Sequence, residues 1–267
     1  MELDAALILL FILTGLGAGI IDAIAGGGGM ITLPVLLISG MSPVEALATN
    51  KLQGSFGTFA ASLYFIRKKL IDLTQMKLMI ACTFVGAVTG TVLVQQLDTH
   101  LLASIMPLLL MLIALYFMLS KQIGDTEKTR KITDGLFAFV FTTAIGFYDG
   151  FFGPGTGTFF ALAFVSLLGF SMARATAHTK ILNFTSNVAA LIFFAIGGNI
   201  IWLAGFIMAA GQLLGGQIGA QLVVTHGTKL IRPLVVIVTL TMSAKLLFDQ
   251  YQHSAGSWLE PLLSFIP

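Results

Sequence analysis

The chain has 267 residues, of which 57% are hydrophobic and 10% charged, with a net charge of +2 and a mean hydropathy of +0.95. A soluble domain carries about 25% charged residues; so few charges cannot cover a water-facing surface, so the sequence reads as an all-α polytopic membrane protein whose solvent is lipid. The weak positive balance gives no reason to expect a nucleic-acid partner, and the single Cys82 excludes an internal disulfide framework.

In chain order the apolar segments run over 5–22, 30–39, 43–66, 75–97, 101–119, 132–152, 155–169, 173–197, 201–224 and 230–249. The first follows an acidic start, Met1-Glu2-Leu3-Asp4. A cleaved leader wants a basic start, so this segment is expected to stay as a membrane helix. Most segments match the ~20 residues that cross the hydrocarbon core. Segments 30–39 and 155–169 are too short, and each follows a glycine cluster: Gly26, Gly27, Gly28 and Gly29 in one case, Gly153-Pro154-Gly155-Thr156-Gly157 in the other. Paired short, glycine-interrupted segments point to a transporter binding site.

A fixed register supports a duplication. Lys51 and Lys180 lie 129 positions apart, as do Gly86-x-x-x-Gly90 and Gly215-x-x-x-Gly219, while Asp22 and Asp149 lie 127 apart. The halves are taken as 1–125 and 126–267, each with about five membrane segments, in one integrated membrane domain. Basic residues set the orientation. Arg67-Lys68-Lys69 and the cluster Lys121, Lys128, Arg130 and Lys131 are expected inside, and Asp98-Thr99-His100 outside. In the second half the uncharged Gly197-Gly198-Asn199 is expected outside and the region of His226, Lys229 and Arg232 inside. The two repeats are then inverted, with both termini outside. Trp202, Tyr64 and Trp258 are expected near the membrane interfaces.

Consecutive glycines free backbone groups that must be buried or line a cavity. A helix restarting after the break, near Met30 or Thr158, aims its N–H groups at that cavity and favours an anion; close packing through small residues is the competing explanation. Lys51 and Lys180 lie about nine and eight residues into their segments, roughly 12 Å deep. Each is a counter-charge for an anion or a partner for an aspartate. Asp22 and Asp149 beside the breaks could pair with a lysine, cap a helix or carry a coupling proton. Glu45 and His178 are further proton candidates. Thr49, Asn50, Gln53 and Ser55 in the first half, and Thr179, Asn183, Ser186 and Asn187 in the second, could hold substrate oxygens or bond between helices. Asn183 and Asn187 share a helix face with Lys180. The expected substrate-contacting set therefore comprises the glycines of the first cluster, Gly153, Gly155, Thr156, both lysines, His178 and these threonines and amides. The two Gly-x-x-x-Gly pairs are read as helix-packing sites.

The stretches Gly17-Ala18-Gly19-Ile20-Ile21-Asp22-Ala23-Ile24-Ala25-Gly26-Gly27-Gly28-Gly29 and Ala46-Leu47-Ala48-Thr49-Asn50-Lys51-Leu52 resemble the TauE/SafE sulfite exporter family. So do Gly146-Phe147-Tyr148-Asp149-Gly150-Phe151-Phe152-Gly153-Pro154-Gly155 and Ala177-His178-Thr179-Lys180. The resemblance covers nearly the whole chain. It implies a bacterial inner-membrane secondary transporter of small anions such as sulfite, organosulfonates or related organic acids, working by alternating access. Proton coupling and export are suggested only by the family name and general transporter logic.

An anion channel with the same cavity is the alternative reading. A membrane assembly subunit or intramembrane enzyme is a third. Neither a His-Glu-x-x-His metal pair nor a Gly-x-Ser-x-Gly elbow is present. No cofactor and no metal are expected. The expected partners are the lipid bilayer, a small anion and a coupling proton; a homodimer is compatible with the chain.

Overall fold

A computed structural model describes residues 4–119, 127 and 129–226. Among these the fold is entirely helical. α1 (Ala5–Ala25), α2 (Gly29–Ile38), α3 (Pro43–Arg67), α4 (Leu73–Val94) and α5 (Thr99–Leu119) make up the first part. The second begins with the single turn α6 (Asp134–Leu136), a π-helical stretch over Phe137–Thr142, and α7 (Thr143–Phe151). It continues with α8 (Thr156–Leu167), α9 (Met172–Ile196) and α10 (Trp202–His226). The expected segment 230–249, Lys229, Arg232 and Trp258 lie outside the described residues.

Four described helices are long and apolar enough to cross a membrane: α1, α4, α9 and α10 up to Thr225. α3 is equally long, 25 residues, about 37 Å at 1.5 Å per residue, but is diluted by polar side chains that are buried in protein. Local signals set the helix starts. Asp4 caps α1 by accepting from the Leu7 N–H at 2.7 Å. Ser42 and Glu45 form a reciprocal capping box around Pro43 at the head of α3. Asp72 caps α4 through the Thr74 N–H at 2.9 Å.

The two short helices double back. Gly26 adopts φ +74, and two residues later Gly28 lies against Ala18 and Asp22 of α1, so the chain has reversed. Gly153 and Gly155 take φ +99 and +80, and the Phe159 ring of α8 returns to the Tyr148 ring of α7, centroids 5.2 Å apart. At ten and twelve residues, α2 and α8 are about 15 and 18 Å long, against a hydrocarbon core of about 30 Å. Each is too short to span such a core by itself.

Helix partners are exchanged between the two parts. α1 packs on α10 and α4 packs on α7. In each case glycines bring backbone to backbone: Gly86 and Gly90 of α4 abut Thr143, Phe147 and Phe151, while Gly215 and Gly219 of α10 abut Leu16 and Ile20. The expected packing role of both Gly-x-x-x-Gly pairs is what these contacts describe.

The connections gather at two ends. Met41, Leu97 and Ile200 share one apolar cluster, and Gln95 accepts from the Asn199 amide at 2.9 Å. Ile66, Ile71, Ile132, Phe170 and Met172 pack in another. The second end carries Arg67, Lys68, Lys69, Arg130, Lys131 and Arg174; the described connections 39–42, 95–100 and 197–201 at the first carry no lysine or arginine.

Candidate functional site

The site is built where the two breaks meet. Gly26 lies against Gly157 and the Thr158 N–H, so a Cβ on either glycine would overlap the opposing backbone. The Thr158 hydroxyl donates to the Ala25 carbonyl at the end of α1, which satisfies a backbone acceptor freed by the break.

Two ion pairs flank this crossing, each joining a lysine of one part to the aspartate of the other. Lys51 Nζ of α3 is 2.8 Å from Asp149 Oδ1, with both side chains buried (1% and 2% exposed). Lys180 Nζ of α9 is 3.3 Å from Asp22 Oδ2 (1% and 14% exposed), and it also donates to the Asp22 carbonyl. The pairs differ in their support. Asp149 accepts in addition from the Thr156 hydroxyl at 2.7 Å and from the Ser186 hydroxyl. Asp22 accepts in addition only the Gly28 N–H, at 3.3 Å. The Lys51–Asp149 pair is closely held, whereas Asp22 is the more open carboxylate. Gly153 is required beside the tighter pair, because a Cβ there would lie 2.8 Å from Lys51 Nζ and 3.1 Å from Asp149 Oδ1.

A polar cavity lies against both breaks. Asp22, Gly26, Gly28 and Gly29 line it from the first break, and Asp149 and Gly153 from the second. α3 contributes Asn50, Lys51, Gln53 and Gly54; α9 contributes Asn183 and Asn187, and α10 contributes Gln212. Its free volume is about 20 Å³, the scale of one bound water. With Lys180 against Asp22, the two lysines and two aspartates balance to zero formal charge.

The predicted residues divide into three groups. Asp22, Gly26, Gly28, Gly29, Asn50, Lys51, Gln53, Asp149, Gly153, Asn183 and Asn187 are brought together around the cavity. Lys180 and Thr156 stand one bond behind it, on Asp22 and Asp149. The remaining side chains are placed elsewhere. Glu45 accepts from the Ser42 N–H at 2.9 Å in the α3 cap. The Thr49 hydroxyl accepts from the Ile201 N–H at 3.1 Å, tying α3 to the start of α10. His178 sits between Phe164 and Phe170, its Nδ1 2.8 Å from the Arg174 carbonyl. The Thr179 hydroxyl is buried without a hydrogen-bond partner. Gly155 serves the turn into α8, and Gly27 supplies a carbonyl to the Met30 N–H in the turn into α2.

Sequence reasoning passed over Gly54 and Gln212. Gly54 lies against the Asn187 amide, and the Gln212 side chain lies against Gly19 and Gly57. A buried glutamine in an apolar helix was the available signal for Gln212. It stands beside Gly211, Gly215 and Gly216, which read as packing residues alone.

Apolar helices of membrane length, paired glycine breaks and a buried charge-bearing cavity between them are the features expected of a membrane transporter. The profile described as Sulfite exporter TauE/SafE matches residues 11–246. The chain belongs to the TauE/SafE family. It is 50% identical over 242 residues to the probable membrane transporter protein YfcA of Escherichia coli (strain K12), covering 91% of this chain and 90% of that one. It is 45% identical over 250 residues to a probable membrane transporter protein of Haemophilus influenzae (94% and 98% of the two chains). A probable membrane transporter protein, ORF9, of a Sinorhizobium species is 46% identical over 242 residues (91% and 92%). No solved structure matches the chain.

Proposed function

We propose that the chain is a bacterial inner-membrane secondary carrier of small anions, of the class of sulfite, organosulfonates and related organic acids, built from two inverted repeats, 1–125 and 126–267. The observation that carries this reading is the crossed pairing of Lys51 with Asp149 and Lys180 with Asp22 at one cavity. Buried lysines beside the N-terminal turns of α2 and α8 supply positive charge and N–H donors suited to an anion. At rest the aspartates neutralise that charge. An anion gains the lysines only when a carboxylate is displaced or protonated. Asp22, the more exposed and less supported of the two, is the carboxylate assigned the coupling proton.

The crossing also gives a means of alternating access. Because both pairs tie one repeat to the other, shifting one bundle against its counterpart acts on both of them at the site. The basic end, Arg67 to Lys69 with Arg130 and Lys131, faces the cytoplasm by the positive-inside rule. A cavity of this size, with two ion pairs at its wall, favours a carrier over an open channel.

The test is thermal stabilisation of the purified protein across sulfite, organosulfonates and carboxylates, since a ligand that binds only the folded state raises its stability. Stabilisation by at least one class, lost in correctly inserted Lys51→Ala and Lys180→Ala proteins, is expected. No stabilisation by any anion, or unchanged transport in the lysine variants, would overturn the reading.

A further inference from the structure

Gln53 is 1% exposed and lines the cavity. Its Nε2 donates to Asn50 Oδ1 at 2.7 Å, while its Oε1 is buried with no hydrogen-bond partner among the described residues. The orientation of this amide is fixed by its neighbour. The Thr32 hydroxyl has two acceptors in reach, the Gly28 carbonyl at 3.2 Å and Asn50 Oδ1 at 2.6 Å; the nearer suits O–H···O and is short for N–H···O. Asn50 therefore presents its oxygen to Thr32 and Gln53, and Gln53 presents its nitrogen to Asn50. The oxygen left over on Gln53 is an acceptor without a donor.

Buried acceptors of this kind are uncommon, and leaving one unmet is costly. Neither lysine reaches it: Lys51 and Lys180 are drawn to Asp149 and Asp22, and no described donor lies within hydrogen-bond distance of Gln53 Oε1. The cavity thus combines two needs. Its lysines and helix starts suit an anionic group, and Gln53 Oε1 needs an O–H or N–H.

We propose that Gln53 reads a hydrogen-bond donor on the transported anion, so that the site selects small anions bearing a hydroxyl or ammonium group beside the anionic one. The inference rests on the small-anion reading above and adds a second requirement to it. An anion without a donor leaves Oε1 unpaired and displaces whatever water serves it. Sites built to pair a substrate hydroxyl discriminate strongly against the analogue that lacks it, more strongly than apolar pockets discriminate by size.

The experiment uses two pairs matched in size, each differing by O–H against CH₃: 2-hydroxyethanesulfonate with propane-1-sulfonate, and glycolate with propionate. Binding of each to the purified full chain is followed by thermal shift and calorimetry. The hydroxylated member of at least one pair is expected to bind about tenfold more tightly or better. In Gln53→Leu the gap should close because the hydroxylated member weakens, while the aprotic member keeps its affinity. If both members of a pair bind the wild-type chain alike, Gln53 is met by a fixed water and the proposal is overturned; that comparison needs no variant to fold. Retention of the gap in a folded Gln53→Leu protein overturns it as well. Failure of all four anions and of sulfite to bind would instead remove the small-anion reading itself.

Discussion

The Asn187 amide of α9 reaches the Thr58 hydroxyl of α3 at 3.5 Å, and these two residues are 129 positions apart, the separation of Lys51 from Lys180. Each is the other's counterpart. Two equivalent positions touch when they lie beside an axis that exchanges the copies. The surrounding contacts obey the same exchange: Gly19 meets Gln212, and their counterparts Gly146 and Thr83 also meet. Lys51 takes Asp149 and Lys180 takes Asp22. This reciprocity supports a two-fold exchange of the copies, with α3 and α9 at its centre, while the inverted sense of the proposal rests on charge placement.

Removing one partner of the buried Lys51–Asp149 pair should be far worse than removing both. In Lys51→Met the Asp149 carboxylate keeps Thr156 and Ser186 but loses its counter-charge. An uncompensated buried charge costs about 3–5 kcal/mol. The double variant Lys51→Met with Asp149→Leu should recover most of that stability while remaining unable to bind an anion. Melting temperatures and anion binding on the three proteins check this. Equal destabilisation of the single and double variants would mean that the unpaired Asp149 carboxylate carries no burial penalty of its own, against this prediction.

The two aspartates should separate function from stability. Asp22→Asn leaves Lys180, 1% exposed, without its counter-charge but still bonded to the residue 22 carbonyl, so it is expected to destabilise, though less than Asp149→Asn. If Asp22 carries the coupling proton, anion flux in Asp22→Asn vesicles becomes insensitive to an imposed pH gradient. Asp149→Asn leaves Lys51 unpaired and should destabilise more. A pH-gradient response that survives in Asp22→Asn would move the proton to another group.

Much of this arrangement was legible in the chain because membrane burial makes charges rare. Asp22, Lys51, Asp149 and Lys180 stand out against apolar neighbours, and the fixed register linked them before any geometry was known. Which lysine met which aspartate was not legible. Both pairings satisfy the same sequence, and only the packing of α1 on α10 and α4 on α7 decides between them. The same limit applies to His178, Thr49 and Glu45. Their residue types suit proton or substrate chemistry, yet an edge-to-face ring contact, an inter-helix hydrogen bond and a helix cap engage them. The π-helical turn over Phe137–Thr142 had no signal in the sequence; at its end the Thr142 hydroxyl reaches the carbonyls of Ala138, at 2.7 Å, and Met79 of α4, at 3.3 Å.

Asp72, outside the membrane-spanning stretch at the head of α4, gives an acid-sensitive contribution. Hydrogen bonds from the Thr74 hydroxyl and backbone N–H, joined by Gln75, hold its carboxyl below the ordinary range. A depressed folded-state value stabilises the folded form above the unfolded carboxylate pKa, about 3.9, and that contribution is lost as pH falls through the folded value. The melting-temperature gap between wild type and Asp72→Ala should therefore be widest near neutral pH and narrow below about pH 4. A gap that stays constant with pH would mean that the charge on Asp72 is immaterial to the cap.

Close approach of α1 to α10 sets a different demand at each glycine of one helix. A Cβ on Gly15 would run into the Met208 backbone carbonyl, whereas a Cβ on Gly17 would meet nothing within 4 Å. Neither glycine has a positive φ, so backbone strain does not enter, and space alone distinguishes them. Gly15→Ala must push the helices apart against backbone that cannot swing aside, and overpacking of this kind costs about 1–3 kcal/mol. Gly17→Ala gains helix propensity, up to about 1 kcal/mol, with no clash to offset it. Opposite signs from the same substitution two residues apart are the expected result, read as melting temperatures of the two purified variants. Equal effects would mean that α1 and α10 do not meet through Gly15, and the exchanged packing that holds the two breaks together would have to be redrawn.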